Sequence, residues 1–408
     1  MSGLIFLERL LDGAAVEWKP LGEVVLPTSN IKWKNTDRVY RYIDLTSVTI
    51  ETKKIAETTE ITANNAPSRA QKLIEKDDVI FATTRPTQQR YCLISNDYSG
   101  AVASTGYCIL RAKKDEVLPK WILYCITSND FKIYVEENQS GSAYPAISDT
   151  KVKNFLIPIP SLAIQAEIVR ILDTFTELTA ELTAELSDRQ KQYNYYRDRL
   201  LTFEEGEVEW KPLGELGKFI RGKRFTKADY VDDGIPAIHY GEIYTHYGVS
   251  TSHTLLQVRA EMAASLHYAE PGDVVITDVG ETVEDVGKAV AWIGNKKVAI
   301  HDHYYAFRHP MNPKFISYCM QATSFIEEKA KYVARTKVNT LLINGFAKIL
   351  IPVPSLAEQA RIVAILDKFD TLTTSISEGL PREIALRQKQ YEYYRDLLLS
   401  FPKPKEQQ

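Results

Sequence analysis

Cationic and carboxamide side chains gather in a few short stretches of this chain. In the first part they are Lys32, Lys34 and Arg38, then Arg85, Gln88, Gln89 and Arg90, then Tyr144 with its neighbours Gly141-Ser142-Ala143. In the later part they are Arg221, Lys223 and Arg224, then Tyr244, His246 and Tyr247, then Arg335, Lys337 and Asn339 in the run Arg335-Thr336-Lys337-Val338-Asn339. Side chains of these types hydrogen-bond the edges of bases, and the cations meet phosphates. They are candidate contacts to nucleic acid. Histidine raises a second chemistry: all seven lie between His239 and His309, including His301-Asp302-His303. Their spacing matches no standard zinc pattern. No metal site is expected, and the histidines read as core or nucleic-acid-facing residues.

Motifs for catalysis are missing. The sequence holds no Asn/Asp-Pro-Pro-Tyr/Phe motif of an adenine methyltransferase, no GxxxxGK[ST] phosphate loop and no strand-borne acidic cluster with a following lysine. The chain therefore reads as non-catalytic. Cys92, Cys108, Cys125 and Cys319 form no CxxC pair, so reduced, buried thiols are expected. No apolar run is long enough to cross a bilayer, and Glu8 and Arg9 interrupt the apolar N-terminus. A cytoplasmic protein without membrane contact is the expectation. Net charge is −3, which excludes a strongly cationic coat for nucleic acid. Residues 19–155 hold 19 Lys and Arg against 16 Asp and Glu, and 211–348 hold 17 against 15. The slight basic excess sits in the stretches that carry the candidate contacts.

The elements that must position those contacts are written twice. Val16-Glu17-Trp18-Lys19-Pro20-Leu21-Gly22-Glu23 returns as Val208-Glu209-Trp210-Lys211-Pro212-Leu213-Gly214-Glu215, 192 residues later. Ile157-Pro158-Ile159-Pro160-Ser161-Leu162-Ala163 returns as Ile351-Pro352-Val353-Pro354-Ser355-Leu356-Ala357, an offset of 194, and Arg189-Gln190-Lys191-Gln192-Tyr193 as Arg387-Gln388-Lys389-Gln390-Tyr391, an offset of 198. Between these anchors the halves diverge, although Tyr124-Cys125 still matches Tyr318-Cys319 and Asp78-Val79-Ile80 matches Asp273-Val274-Val275. A common core with differing polar loops is what one scaffold reading two ligands requires. Arg9-Leu10-Leu11 also echoes Arg199-Leu200-Leu201, so residues 1–15 are expected to pack near the C-terminal helix, in a pseudo-twofold arrangement.

Each Ile-Pro-x-Pro block precedes a long helical pattern. Ile168, Ile171, Phe175, Leu178, Leu182, Tyr193 and Tyr196 recur at steps of three and four or sums of such steps, as do Ile362, Ile365, Phe369, Leu372, Ile376, Tyr391 and Tyr394. This is the spacing of a helix seam, antiparallel or coiled-coil. Ser161 and Ser355 are candidate N-caps. A helix of about 40 residues spans roughly 60 Å. The second copy is four residues longer, and Glu378-Gly379-Leu380-Pro381 at the difference should kink or break it. The first instead repeats Leu178-Thr179-Ala180-Glu181 as Leu182-Thr183-Ala184-Glu185. One such unit changes a helix by about 6 Å, close to two base pairs at about 3.4 Å each.

A repeated variable domain, an Ile-Pro-x-Pro stop and a long helix ending in Arg-Gln-Lys-Gln-Tyr closely resemble the specificity subunit of a type I restriction-modification system. The resemblance covers essentially the whole chain. It implies an α+β fold: two β-rich α/β target-recognition domains at 16–155 and 207–349, separated by conserved helical spacers at 156–206 and 350–408. It further implies that each domain reads one half of a bipartite asymmetric DNA site, while the helices set the spacing. The implied partners are two modification methyltransferase subunits, which use S-adenosylmethionine, and two restriction subunits, which use ATP and Mg2+. No cofactor is implied for this chain. The alternative is a coiled-coil structural adaptor without DNA recognition, against which the divergence of the two halves speaks.

Overall fold

The computed structural model describes residues 16–239, 241–335, 337–375 and 377–403. In it the repeated sequence blocks are partners of one another. Glu17–Pro20 pairs antiparallel with Leu156–Ile159, placing Trp18 opposite Pro158. Glu209–Pro212 pairs with Leu350–Val353 in the same register, placing Trp210 opposite Pro352. Both are two-stranded ribbons, where a proline's missing N–H leaves no further neighbour unsatisfied. The Ile-Pro-x-Pro block therefore does more than stop a domain: it closes the domain on its own first strand.

The chain divides into two units, one holding the described residues up to Ala180 and from Ala385 onward, the other Glu181–Ile384. Each is α+β. In the first, one sheet runs in the order Val25–Leu26, Tyr107–Ala112, Val79–Ala82, Tyr91–Leu93, and a second in the order Thr59–Ile61, Tyr40–Ile43, Val102–Ser104, Ala70–Leu73. Strand alternation sorts side chains between two layers. Val79 and Phe81 join the core formed with the helices, whereas Ile80 and Ala82 join the core beneath the other face. The second unit repeats this: Val274 and Ile276 face the helical core, Val275 the opposite one. Its two five-stranded sheets run Lys218–Arg221, Tyr304–Arg308, Val274–Thr277, Ala289–Trp292, Ser250–Thr251 and Tyr230–Val231, Leu256–Val258, Ile235–Ile238, Val298–Ile300, Tyr268–Ala269. The shared Asp-Val pair acquires a reason here. Buried Asp78 receives the Arg111 guanidinium at 2.8 Å and the Glu75 N–H, and buried Asp273 receives Arg308 at 2.9 Å and the Glu270 N–H. All four cysteines are buried and unpaired.

The first long helix is Leu162–Leu200, 39 residues, about 58 Å at 1.5 Å per residue. The second comes as Leu356–Thr374 and Gly379–Leu398. Pro381 lacks the N–H that a helix interior needs, and it is accommodated in the first turn of a new helix. Gly379 makes the restart with φ +74°, where an added Cβ would stand 2.4 Å from the Thr371 carbonyl oxygen. Ser355 caps the second helix by accepting from the Glu358 N–H, and Ser161 faces the Ile164 N–H at 3.5 Å.

Helices and domains are locked by the same contacts in both units. In the first, Asp173 accepts from the Lys120 ammonium and the Tyr124 hydroxyl, both at 2.6 Å; in the second, Asp367 accepts from Lys314 and Tyr318, both at 2.8 Å. Buried Gln165 accepts from the Leu118 N–H and donates to the Pro160 carbonyl, and buried Gln359 does the same with Asn312 and Pro354. Asp396 receives the Asn129 N–H, and Asp198 receives the N–H and hydroxyl of Thr323, in each case at the start of a domain helix. Partial burial pushes the Asp198 carboxyl up, but Thr323 and Arg197 outweigh it and hold the group below its usual value.

Of the seam residues, Ile168, Ile362 and Tyr193 are buried, and Tyr196 is 37% exposed. Ile171, Phe175, Leu178, Leu182, Ile365, Phe369, Leu372, Tyr391 and Tyr394 are half-buried. Phe175 stacks on Tyr394 at 5.4 Å, and Tyr196 on Phe369 at 5.6 Å. Ile376 and the N-terminal residues 1–15 lie outside the described residues.

Candidate nucleic-acid interface

The candidate contacts are carried on a backbone frame that occurs in both units. Thr84 bridges Ala146, which also bridges Ser140. At the matching positions Val279 pairs with Thr340, which also pairs with Ala334. Each crossing ties the loop after the central strand (after Val79–Ala82, or after Val274–Thr277) to the late loop before the closing strand.

In the first unit this brings Arg85, Gln88, Gln89, Arg90 and Tyr144 together. The Arg85 N–H donates to the Pro145 carbonyl at 2.7 Å, and its guanidinium lies 5.5 Å from the centre of the Tyr144 ring. Arg85 (φ +49°) and Gln89 (φ +51°) are left-handed on either side of the one-turn helix Pro86–Gln88. Each such residue costs about 1–2 kcal/mol, and backbone strain of this kind concentrates at functional sites. The Lys53 ammonium helps to hold the turn by donating to the Gln89 carbonyl at 2.6 Å. Arg85 and Tyr144 are exposed, the latter at 73%. Arg90 differs. Its guanidinium turns inward to the carbonyls of Val48 (2.6 Å) and Leu45 (3.4 Å), and its Nε donates to Gln88. Arg90 braces the loop. Lys32, Lys34 and Arg38 are exposed and form a second group around Trp33, whose indole donates to the Ala70 carbonyl and whose ring meets Tyr40 edge-on.

In the second unit Arg221 donates to Asp278 at 2.8 Å and to the Asp302 carbonyl, with Tyr305 beneath its guanidinium. Burial pushes the Asp278 carboxyl up, against the pull of Arg221. The Tyr244 hydroxyl donates to the Val279 carbonyl at 2.8 Å, and the Asn339 amide to the Glu281 carbonyl at 2.8 Å, so both clamp the loop after the central strand. Lys223, Arg224, His246, Arg335 and Lys337 are exposed. Tyr247 is not presented to solvent: it is 8% exposed and its hydroxyl donates to Glu242. It belongs to the core, because this helix turn buries its Ile243 face.

Three contributors had gone unnoticed in the sequence. Lys53 carried no signal beyond its charge. Lys288 corresponds to Arg90 once the strands are aligned by pairing, Val275 opposite Val290 as Ile80 is opposite Cys92. Asp278 sits just past a strand that is buried on both faces, where a carboxylate needs a partner.

The model of the type I restriction modification DNA specificity domain matches residues 16–189 and again 205–386. The chain belongs to the type I restriction-modification specificity family. It is 38% identical to the specificity subunit of an Escherichia coli type I restriction enzyme, over 99% of each chain. It is 30% identical to a putative type I specificity subunit of Haemophilus influenzae, over 97% of this chain and 98% of that one. Among solved structures it resembles a chain from a study of complex assembly in the type I R-M system, with a TM-score of 0.68 and 25% identity over 95% of this chain and 98% of that one. The fold is shared with the S subunit from M. genitalium, with a TM-score of 0.51 and 15% identity over 95% and 97%. A specificity subunit is a DNA-recognition component, and nothing in these matches supports an adaptor without DNA recognition. No helix among the described residues is long and apolar enough to cross a membrane.

Proposed function

We propose that the stretches 16–155 and 207–349 each read one half of a bipartite, asymmetric site in double-stranded DNA. The long helices set the unread spacing and dock two modification methyltransferase subunits. The observation that carries this reading is the duplicated loop crossing with differing side chains. Around Thr84 and Ala146 it displays Arg85 and Tyr144; around Val279 and Thr340 it displays Arg335 and Lys337. One frame with two surface chemistries suits two different half-sites. The chain contributes no catalytic group. S-adenosylmethionine belongs to the methyltransferase subunits, ATP and Mg2+ to two restriction subunits, and the assembly works in the cytoplasm.

Methylome sequencing of cells carrying the chain with its partner subunits tests this. A split methylated motif should be found, and it should vanish when the chain is deleted. Replacing 211–348 by the matching stretch of a relative should change one half of the motif only. Change in both halves, or in neither, refutes the assignment of one reader to each half.

A further inference from the structure

We propose that Arg221 reads a guanine in the half-site of the second unit, and that Asp278 is the positioning residue that aims it. This rests on the reading that 207–349 contacts one half of a DNA site, and adds which base is read and what presents the donors. Asp278 follows the central strand Val274–Thr277, and its side chain is 3% exposed. Its backbone is pinned on both sides: the N–H donates to the His303 carbonyl at 3.0 Å, and the carbonyl accepts from the Leu341 N–H at 2.7 Å. Leu341 ends the strand Asn339–Leu341 of the loop crossing, so the carboxylate is fixed to the frame that carries Arg335 and Lys337.

The Arg221 guanidinium is held along one edge. Its Nε donates to the Asp302 carbonyl at 3.2 Å and its Nη2 to Asp278 Oδ2 at 2.8 Å, with the Tyr305 ring centre 5.7 Å away. Nη1 has no hydrogen-bond partner among the described residues. Nη1 and the second hydrogen of Nη2 therefore form a planar end-on fork on a side chain that is 57% exposed. Guanine accepts such a fork at O6 and N7, whereas adenine sets a donor beside its N7. The other arginine–aspartate pair of this fold is closed. Arg111 spends Nε and Nη2 on Asp78 and Nη1 on Glu75, and Arg308 spends the same atoms on Asp273 and Glu270. That pair occurs in both units; the open one does not. Thr83 stands where Asp278 does, with the same backbone bonds, its N–H to the Gly106 carbonyl at 2.8 Å and its carbonyl to the Ile147 N–H at 2.9 Å. The 192-residue offset puts Ser29 at the place of Arg221. The frame is kept while the arginine and its carboxylate are exchanged together, as a device for one half-site requires.

The test uses the full chain assembled with its methyltransferase subunits, on duplexes bearing the methylated motif. In the half assigned to the second unit by the 211–348 exchange, each guanine of either strand is replaced in turn by adenine, with its partner, and by 7-deazaguanine, which pairs normally but lacks N7. At one guanine, adenine should weaken binding about 5- to 150-fold, and 7-deazaguanine should weaken it as well. The double variant Arg221→Ser, Asp278→Thr installs the pair of the first unit and should bind these duplexes alike, with discrimination in the other half unchanged. Arg221→Lys should not restore the preference, because an ammonium offers no planar fork. Asp278→Thr alone keeps the cation but frees it, so guanine preference should narrow while the salt dependence of affinity stays. Circular dichroism checks the fold of each variant. A half-site without guanine, an unchanged preference in the folded double variant, or a loss of affinity uniform across sequences overturns the proposal. If the exchange has changed one half only, that failure leaves the two-reader assignment standing; an exchange that changes both halves or neither overturns both.

Discussion

Arg85 and Arg90 lie five residues apart on one loop, yet their removal should have opposite consequences. The Arg90 guanidinium donates to two backbone carbonyls, at 2.6 Å to Val48 and 3.4 Å to Leu45, in a half-buried setting. A charged hydrogen bond contributes about 1.5–3 kcal/mol, and the longer contact contributes little. Arg90→Ala should therefore lower the stability of its unit by about 2–3 kcal/mol, with little effect on base preference in the molecules that remain folded. Arg85 is exposed, and its one side-chain contact of note is the Tyr144 ring, worth about 0.5–1 kcal/mol at such a site. Alanine carries a Cβ as arginine does, so the left-handed backbone at this position is no worse off. Arg85→Ala should be nearly neutral for stability. In the assembled complex it should cost about 1–3 kcal/mol at one base pair if the guanidinium reads a base. If it meets a phosphate instead, affinity should fall across all sequences and the salt slope should drop by about one. Urea unfolding reports the first quantity. Fluorescence anisotropy of cognate and single-base-variant duplexes, at fixed salt, reports the second. Altered base preference in a normally stable Arg90→Ala, or unchanged affinity and preference in Arg85→Ala, would refute this division of roles.

Three other outcomes are expected. Gln359→Leu leaves the Asn312 N–H and the Pro354 carbonyl buried without partners and should destabilise the second unit by about 2–4 kcal/mol in chemical unfolding. Phe401 is 4% exposed and packs against Trp121, so Phe401→Ala should cost about 3–5 kcal/mol; hydrogen exchange should place the loss in the first unit. Burial lowers the Lys329 ammonium to about 8, against the opposing pull of Glu284 and Asp285. A folded-state value below the unfolded one means stability is gained as pH rises from 8 towards 10.5. Lys329→Met should thus stabilise the protein at pH 7 by roughly 1–3 kcal/mol, with a gain that shrinks by pH 10. An equal gain at both values would place the effect in packing rather than charge.

Much of the architecture was legible because it is local or repeated. The helix at Leu162–Leu200 follows from apolar spacing, and the break before Gly379 follows from a proline that cannot occupy a helix interior. Tyr124-Cys125 and Tyr318-Cys319 recur because the tyrosines hold Asp173 and Asp367 and the cysteines fill the core behind them. Individual contacts were harder to read. Arg85 and Arg90 look alike in sequence, and only the path of residues 45–48, distant in the chain, decides which guanidinium is engaged. Tyr247 has the composition of a surface residue in a polar stretch, and its burial depends on a turn that places it over Glu242.

The distribution of sameness and difference along the chain then has a mechanical explanation. Among the residues that recur are those whose loss would leave a buried polar group unpaired: Gln165 and Gln359, Asp173 and Asp367, Asp78 and Asp273. Each change there costs kilocalories whatever DNA is read, since an unsatisfied buried group costs about 1–3 kcal/mol. The residues displayed at the crossings, Arg85 and Tyr144 or Arg335 and Lys337, are exposed, and surface changes cost about 0.5 kcal/mol or less. Backbone pairing at Thr84–Ala146 and Val279–Thr340 holds the loops whichever side chains they carry. On the proposed reading, sequence preference changes at the crossings while the long helices, their caps and the carboxylates of Asp173 and Asp367 stay as they are.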